Sequence, residues 1–96
     1  MIEVRQTALF AAWLRDLRDL KARVRIAVRI ERLQEGNFGD AKSVGQGVSD
    51  LRIDYGPGYR VYYVRRGSTA VVLLCGGDKQ TQDRDVARAL KLAKEV

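Results

Sequence analysis

One stretch of the sequence decides the fold class: residues 51–64, LRIDYGPGYRVYYV. Apolar and polar residues alternate on both sides of residues 56–58, and this Gly-Pro-Gly triplet is typical of a turn. A two-residue turn would mix apolar and charged side chains on both faces, because a one-residue slip moves every side chain to the other face. The pattern therefore favours a three-residue turn, with Tyr55 opposite Tyr59.

This pairing predicts an apolar and a polar face for the hairpin. The apolar face would hold Leu51, Ile53, Tyr55, Tyr59, Val61 and Tyr63, and the polar face Arg52, Asp54, Arg60 and Tyr62. Two interpretations of the polar face stay open. One is a surface ion pair between Asp54 and Arg60, which contributes about 0–1 kcal/mol when exposed. The other is a phosphate-binding groove, since arginine binds phosphate bidentately and tyrosine can stack on a base.

The remaining elements follow from periodicity and capping signals. We expect a strand at residues 2–5, a helix capped by Thr7, a helix capped by Asp19 that stops at Gly36, a loop over residues 36–49, strands at residues 59–66 and 69–75, and a helix over residues 82–95. The order is β-α-α-β-β-β-α. This predicts one α+β domain over residues 1–96, with a mostly antiparallel sheet packed on an αα-hairpin.

Composition excludes several chemistries. The 96 residues include 18 Lys and Arg against 12 Asp and Glu, a net charge of +6, with one cysteine and no histidine. A Ser-His-Asp triad and an internal disulfide are impossible, and no metal or cofactor site is expected. Cys75 is interpreted as a small core hydrophobe. The excess positive charge favours nucleic acid as a partner.

The apolar segments of the sequence predict where in the cell the protein is located. No apolar run approaches the length of a membrane span, and no secretory signal is evident. A cytoplasmic protein with no membrane partner is expected.

A second glycine-containing segment, GGDK at residues 76–79, joins the last strand to the last helix. Glycines there would let the backbone approach an anion at the helix N-terminus, with Lys79 adding a charge. The alternative, which the pattern favours, is an ordinary turn in which Asp78 or Thr81 caps the helix. The spacing is not that of a P-loop.

Together, GPGYRVY at residues 56–62 and LLCGGDK at residues 73–79, with Gln82 and Asp85 behind, resemble a known family. They look like the phage-derived Gp49-like, HigB-like addiction-module killer proteins of the RelE/ParE toxin superfamily. The resemblance covers nearly the whole chain. It implies the RelE/ParE-like fold and the toxin of a type II toxin–antitoxin system.

The resemblance also implies an activity and a set of residues. The expected activity is that of an mRNA interferase, a metal-independent endoribonuclease that cuts mRNA on the ribosome and so inhibits translation. Arg60, Arg52 and Lys79 fall on the basic catalytic positions of the family, and Asp85 stands near a tyrosine that some relatives carry. Three further residues are expected to bind RNA: Tyr62, Arg84 and Gln82.

The expected partners are mRNA, the ribosome and a cognate antitoxin, usually a helix-turn-helix protein of the HigA-like kind. Two alternatives stay open: a ParE-like toxin that acts on DNA gyrase without cutting RNA, and a non-toxic binding remnant of a phage locus.

Overall fold

The computed structural model describes residues 1–96 as a five-stranded sheet with helices on both faces. The elements are β1 (Glu3–Gln6), α1 (Ala8–Arg15), α2 (Leu20–Gln34), β2 (Ala41–Gly45), β3 (Val48–Ile53), β4 (Tyr59–Arg66), β5 (Ala70–Asp78), a short 3₁₀ turn (Lys79–Thr81) and α3 (Gln82–Glu95). The sheet order is β1-β5-β4-β3-β2, with β1 parallel to β5 and the other pairs antiparallel. The α+β class is confirmed.

Both predicted helix caps are present. The Thr7 hydroxyl accepts a hydrogen bond from the Phe10 amide at 3.0 Å, and the Asp19 carboxylate accepts from the amides of Lys21 and Ala22 at 3.0 and 3.2 Å. Such caps satisfy amides that have no partner within the helix. The αα-hairpin is thereby fixed at the start of each helix.

The predicted loop over residues 36–49 is wrong in part, because it contains β2. This edge strand has only two half-buried positions, Ala41 and Val44, so its apolar pattern is weak. Two of the glycines that indicated a loop form the β2–β3 turn instead, where Gly45, Gln46 and Gly47 all have positive φ. The observed order is therefore β-α-α-β-β-β-β-α.

The predicted hairpin register is also wrong, by two residues. Ile53, rather than Tyr55, lies opposite Tyr59, and Arg52 lies opposite Arg60. The Tyr55 amide donates to the Ile53 carbonyl at 2.9 Å, which draws Tyr55 into a longer turn. A shift by two keeps each strand residue on its predicted face, because side chains alternate with period two.

Two cores lie on the two faces of the sheet. The αα-hairpin covers the predicted apolar face, where Phe10, Ile26 and Leu33 pack against strand residues that include Leu51 and Val61. On the other face, α3 covers a second core of Val48, Tyr62, Val64, Val72, Leu74, Cys75 and Ala89. Of the predicted polar face, Tyr62 is thus buried under α3, whereas Arg52, Asp54 and Arg60 border an open groove.

Candidate functional site

A groove of about 280 Å³ lies at the end of β3 and β4, where the 3₁₀ turn begins. It is lined by Asp40, Arg52, Ile53, Asp54, Gly58, Tyr59, Arg60 and Lys79. The three residues predicted to be catalytic, Arg52, Arg60 and Lys79, therefore share one groove. Three cations on one concave wall form a site suited to a phosphate group.

The two arginines are cross-strand neighbours on the same face of the sheet. Arg52 on β3 lies opposite Arg60 on β4. The Arg60 side chain is 11% exposed and the Arg52 side chain 33%. Like charges placed opposite each other are destabilising. A carboxylate beneath the two guanidinium groups offsets this repulsion.

That carboxylate belongs to Asp50, which sequence reasoning missed. Asp50 is completely buried, with Oδ1 3.6 Å from Arg52 Nε and Oδ2 3.5 Å from Arg60 Nη1. The predicted pair between Asp54 and Arg60 is wrong, because the register shift puts Asp54 in the turn. Asp54 is exposed at the groove edge and makes no ion pair with any residue. The sequence does carry a signal for Asp50, because it precedes Arg52 by two residues and residues two apart on a strand share a face.

Lys79 reaches the groove from the 3₁₀ turn after β5. Asp78 fixes this turn, because its Oδ1 accepts from the Gln80 amide at 2.8 Å and the Thr81 amide at 3.2 Å. Gly58 lies against Lys79, since a Cβ at position 58 would be 3.6 Å from the Lys79 Cβ. The Lys79 side chain is exposed. The capping interpretation of Asp78 is confirmed, and the cap sets Lys79 beside the β3–β4 turn.

Gly76 and Gly77 serve the packing of β5 and do not line the groove. A Cβ at Gly76 would overlap the indole of Trp13, and a Cβ at Gly77 would overlap the carboxylate of Asp85. The two glycines face opposite sides of the sheet and let α1 and α3 approach it. The interpretation in which they let backbone approach a ligand is therefore not supported.

Asp85 is held away from the groove. Its side chain is 1% exposed and accepts a hydrogen bond of 2.5 Å from the Thr81 hydroxyl. Arg84 Nε lies 3.4 Å from its other oxygen. A carboxylate enclosed in this way has no contact with a substrate in the groove.

The three predicted RNA-binding residues do not line the groove. Tyr62 is completely buried among α3-side residues, and burial raises the pKa of its phenol to about 12. The prediction that Tyr62 stacks on a base is wrong, because the ring is not accessible. Arg84 and Gln82 lie in the first turn of α3, with the Arg84 side chain 64% exposed. Both remain predictions for RNA outside the groove.

Tyr59 is the groove tyrosine that the sequence pattern did not single out. Parity placed it on the apolar face, and its ring does pack edge-on against Trp13 at 6.2 Å between centroids. Its position at the start of β4 also leaves it on the groove wall. Aromatic rings in basic grooves can stack on nucleic acid bases.

Arg29 of α2 ties the groove to the helical layer. Its guanidinium donates to the carbonyls of Arg52, Phe38 and Asp40, the last two at 3.1 Å. The tether fixes the backbone of one groove arginine and the segment before β2. The sequence showed Arg29 only as one of several arginines along α2.

A second groove, of about 320 Å³, runs beside the first along the outer side of α2. Its lining is apolar and basic except for one carboxylate: Val24, Arg25, Val28, Arg29, Arg32, Ile53 and Asp54. Leu20, Val24 and Val28 follow one another at four-residue spacing and are 68%, 62% and 37% exposed. Exposed apolar residues at helical spacing, flanked by charges, are typical of a protein-binding surface.

Cys75 lies in the α3-side core, as predicted, with 2% exposure. Burial raises the pKa of its thiol to about 11, which suppresses the nucleophilic thiolate. No three His, Cys, Asp or Glu side chains cluster so that they could hold a metal ion. No helix is both long and apolar enough to span a bilayer.

Comparison with known proteins decides the family. A family model described as phage-derived protein Gp49-like matches residues 12–96. The chain belongs to this family. An uncharacterised protein of Haemophilus influenzae is 52% identical to this Gp49-like chain over 95 residues, which cover 99% of the chain and 96% of the relative.

A solved structure shows the same fold. A chain of the chromosomal ParDE toxin–antitoxin system from P. aeruginosa matches the Gp49-like chain with a TM-score of 0.66 and 23% identity, over 81% of this chain and 96% of that chain. The likeness confirms the RelE/ParE-like fold.

Proposed function

We propose that this Gp49-like protein is the toxin of a type II toxin–antitoxin pair and a ribosome-dependent mRNA endoribonuclease that inhibits translation in the cytoplasm. The observation that carries the proposal is the convergence of Arg52, Arg60 and Lys79 on one groove. A groove with two strand-held guanidinium groups and an ammonium group matches the charge of an RNA phosphodiester.

The proposed reaction is an internal transfer within the RNA. The 2′ oxygen attacks the adjacent phosphorus, the bond from phosphorus to the 5′ oxygen breaks, and the products are a 2′,3′-cyclic phosphate and a 5′ hydroxyl. The 2′ proton leaves to a base, and the departing 5′ oxygen takes up a proton. Arg60, assisted by Arg52, stabilises the negative charge that develops on the phosphoryl oxygens, as preorganised donors do in other transfer reactions.

Lys79 has two roles that fit its position. As an ammonium group it binds phosphate, and it can also transfer a proton to or from the RNA. Its exposure at the end of the groove permits both. Tyr59, on the same wall, is placed to stack on a base of the bound RNA.

The proposed partners are mRNA, the ribosome and a HigA-like helix-turn-helix antitoxin. Support for a protein partner comes from the exposed apolar residues of α2, which lie along the second groove. This second groove shares the lining residues Ile53 and Asp54 with the basic groove. An antitoxin bound along α2 would lie directly next to the site where RNA is cut.

The decisive experiment is a cell-free translation reaction with a defined mRNA, followed by mapping of the RNA ends. We expect cleavage that needs ribosomes and leaves 5′ hydroxyl ends. Arg60→Ala should lower the rate roughly 10²- to 10³-fold, the effect of removing one preorganised donor. Arg15→Ala is the matched control, because Arg15 is 72% exposed at the end of α1, outside the groove.

Intact mRNA in the presence of wild-type protein would contradict the nuclease. A second candidate shares the ParE-like fold: a toxin that acts on DNA gyrase without cutting RNA. Inhibition of supercoiling by the same preparation, with intact mRNA, would support that candidate. Normal growth on induction, with neither effect, would indicate a non-toxic remnant.

A further inference from the structure

The buried carboxylate of Asp50 is the least expected feature of the groove. It is completely enclosed, and neither oxygen has a hydrogen-bond partner within the protein. Its electrostatic contacts are the two ion pairs with Arg52 and Arg60. Taking a carboxylate and a guanidinium out of water costs as much as or more than their attraction returns, so stability alone does not explain such a group.

The two oxygens of the Asp50 carboxylate face different arginines. Oδ1 faces Arg52 Nε at 3.6 Å, and Oδ2 faces Arg60 Nη1 at 3.5 Å. Each guanidinium is approached by one carboxylate oxygen. The Nε and Nη1 atoms of Arg60 are buried, so the exposed part of that side chain lies elsewhere along it.

The surrounding elements hold Asp50 where it is. It sits in the middle of β3, opposite Tyr62 on β4 and Lys42 on β2, so both neighbouring strands fix its backbone. The ring of Tyr62 closes the same face beneath α3. The carboxylate is therefore attached to a strand that is paired on both sides, and the two arginines on the same face line the groove.

We propose that Asp50 is a positioning residue that holds the guanidinium groups of Arg52 and Arg60 side by side, with their outer nitrogens toward one phosphate. The inference rests on the proposed function in one respect, namely that the phosphate belongs to RNA. Asp50 itself touches no substrate. Its negative charge allows two cations to stand opposite each other before RNA arrives, which is preorganisation of the kind that accelerates phosphoryl transfer.

The test compares Asp50→Asn with wild type, because asparagine keeps the size of the side chain and removes its charge. We expect kcat to fall roughly 10- to 100-fold, as it does when reacting groups lose alignment. KM should be no higher than for wild type, because the groove becomes more positive and attracts RNA at least as well. Asp83→Asn, an exposed carboxylate on α3, is the matched control.

A second measurement needs neither RNA nor a folded variant. In nitrogen-15 NMR of the wild type, the two Nη groups of Arg60 should give separate signals that exchange slowly with each other, because Nη1 faces Asp50 Oδ2, whereas those of the exposed Arg15 should average. In Asp50→Asn the two Arg60 signals should exchange faster. If Asp50→Asn does not fold, the wild-type comparison decides.

Several results would overturn the proposal: Arg60 Nη signals that average as those of Arg15 do, an unchanged kcat in folded Asp50→Asn, or a lower kcat with an unchanged Arg60 signal. Failure of the proposed function would look different. Wild-type protein would then cut no RNA, while the Arg60 signal would still report whether Asp50 holds the guanidinium group.

Discussion

The carboxylate of Asp85 lies against Gly77, in the space that a side chain at position 77 would fill. Trp13 does the same at Gly76 on the opposite face of β5. The two glycines thus decide how closely α3 and α1 approach the sheet. Since β5 runs directly into the turn that carries Lys79, the same contacts help to position the Lys79 end of the groove.

The first prediction concerns this close packing. Gly77→Ala should lower the free energy of unfolding by about 1–3 kcal/mol, because the new methyl group must displace a buried carboxylate. Urea unfolding followed by circular dichroism measures the change. Lys91→Ala, at an exposed position of α3, should stay within about 0.5 kcal/mol of wild type. Equal stability of the two variants would contradict the packing role of Gly77.

The second prediction concerns the hydroxyl of Tyr62, which is buried without a hydrogen-bond partner. Burial of an unpaired hydroxyl is unfavourable, so Tyr62→Phe should raise the free energy of unfolding by about 1 kcal/mol. Cleavage of mRNA should be unchanged, since the ring is inaccessible. A loss of RNA binding in Tyr62→Phe would contradict this expectation and support the RNA-binding role predicted for Tyr62 from the sequence.

The third prediction is a pH dependence of stability from the same residue. The folded protein raises the pKa of Tyr62 from 10.0 to about 12, chiefly because burial disfavours the phenolate. A raised pKa means that the stabilisation is fully present below pH 10 and is lost as pH rises through 12. Unfolding measured between pH 9 and 12 should therefore show a steeper loss for wild type than for Tyr62→Phe. Parallel curves would refute this origin of the dependence.

The fourth prediction separates the two roles of Lys79. Lys79→Arg keeps the positive charge, but arginine does not release a proton at accessible pH. If Lys79 only binds phosphate, the variant should keep the rate of mRNA cleavage within about tenfold, and Lys79→Ala should lose more. A loss as large in Lys79→Arg as in Lys79→Ala, with a changed pH–rate profile, would assign proton transfer to Lys79.

The fifth prediction concerns the exposed apolar residues of α2. Val24→Asp should weaken binding of the proposed antitoxin at least tenfold, because it puts a charge at the centre of the apolar contact. Titration calorimetry with the protein from the neighbouring reading frame gives the affinity. Leu9→Asp is the matched control, since Leu9 is 40% exposed on α1 and lines neither groove. Equal affinities of the two variants would place the contact elsewhere.

Much of the site could be predicted because it depends on alternation along strands. Arg52 and Arg60 were assigned to one face from residues 51–64, and they do share it. Asp50 and Tyr59 were missed for opposite reasons. Asp50 lay outside the predicted strand, and Tyr59 has the parity of the apolar face although its place at the strand end opens it to the groove.

By itself, the sequence determined the α+β class, the helix caps and the two faces of the central hairpin. These features depend on local periodicity, and a side-chain period of two survives any shift of register by two residues. The tertiary structure decided the register. The observed register places Asp50, rather than Asp54, next to the two arginines. The physical reason is that the register depends on contacts between residues far apart in the sequence. The Tyr55 hydroxyl donates to Asp19 at 3.0 Å, Arg29 donates to the Arg52 carbonyl, and α3 buries Tyr62.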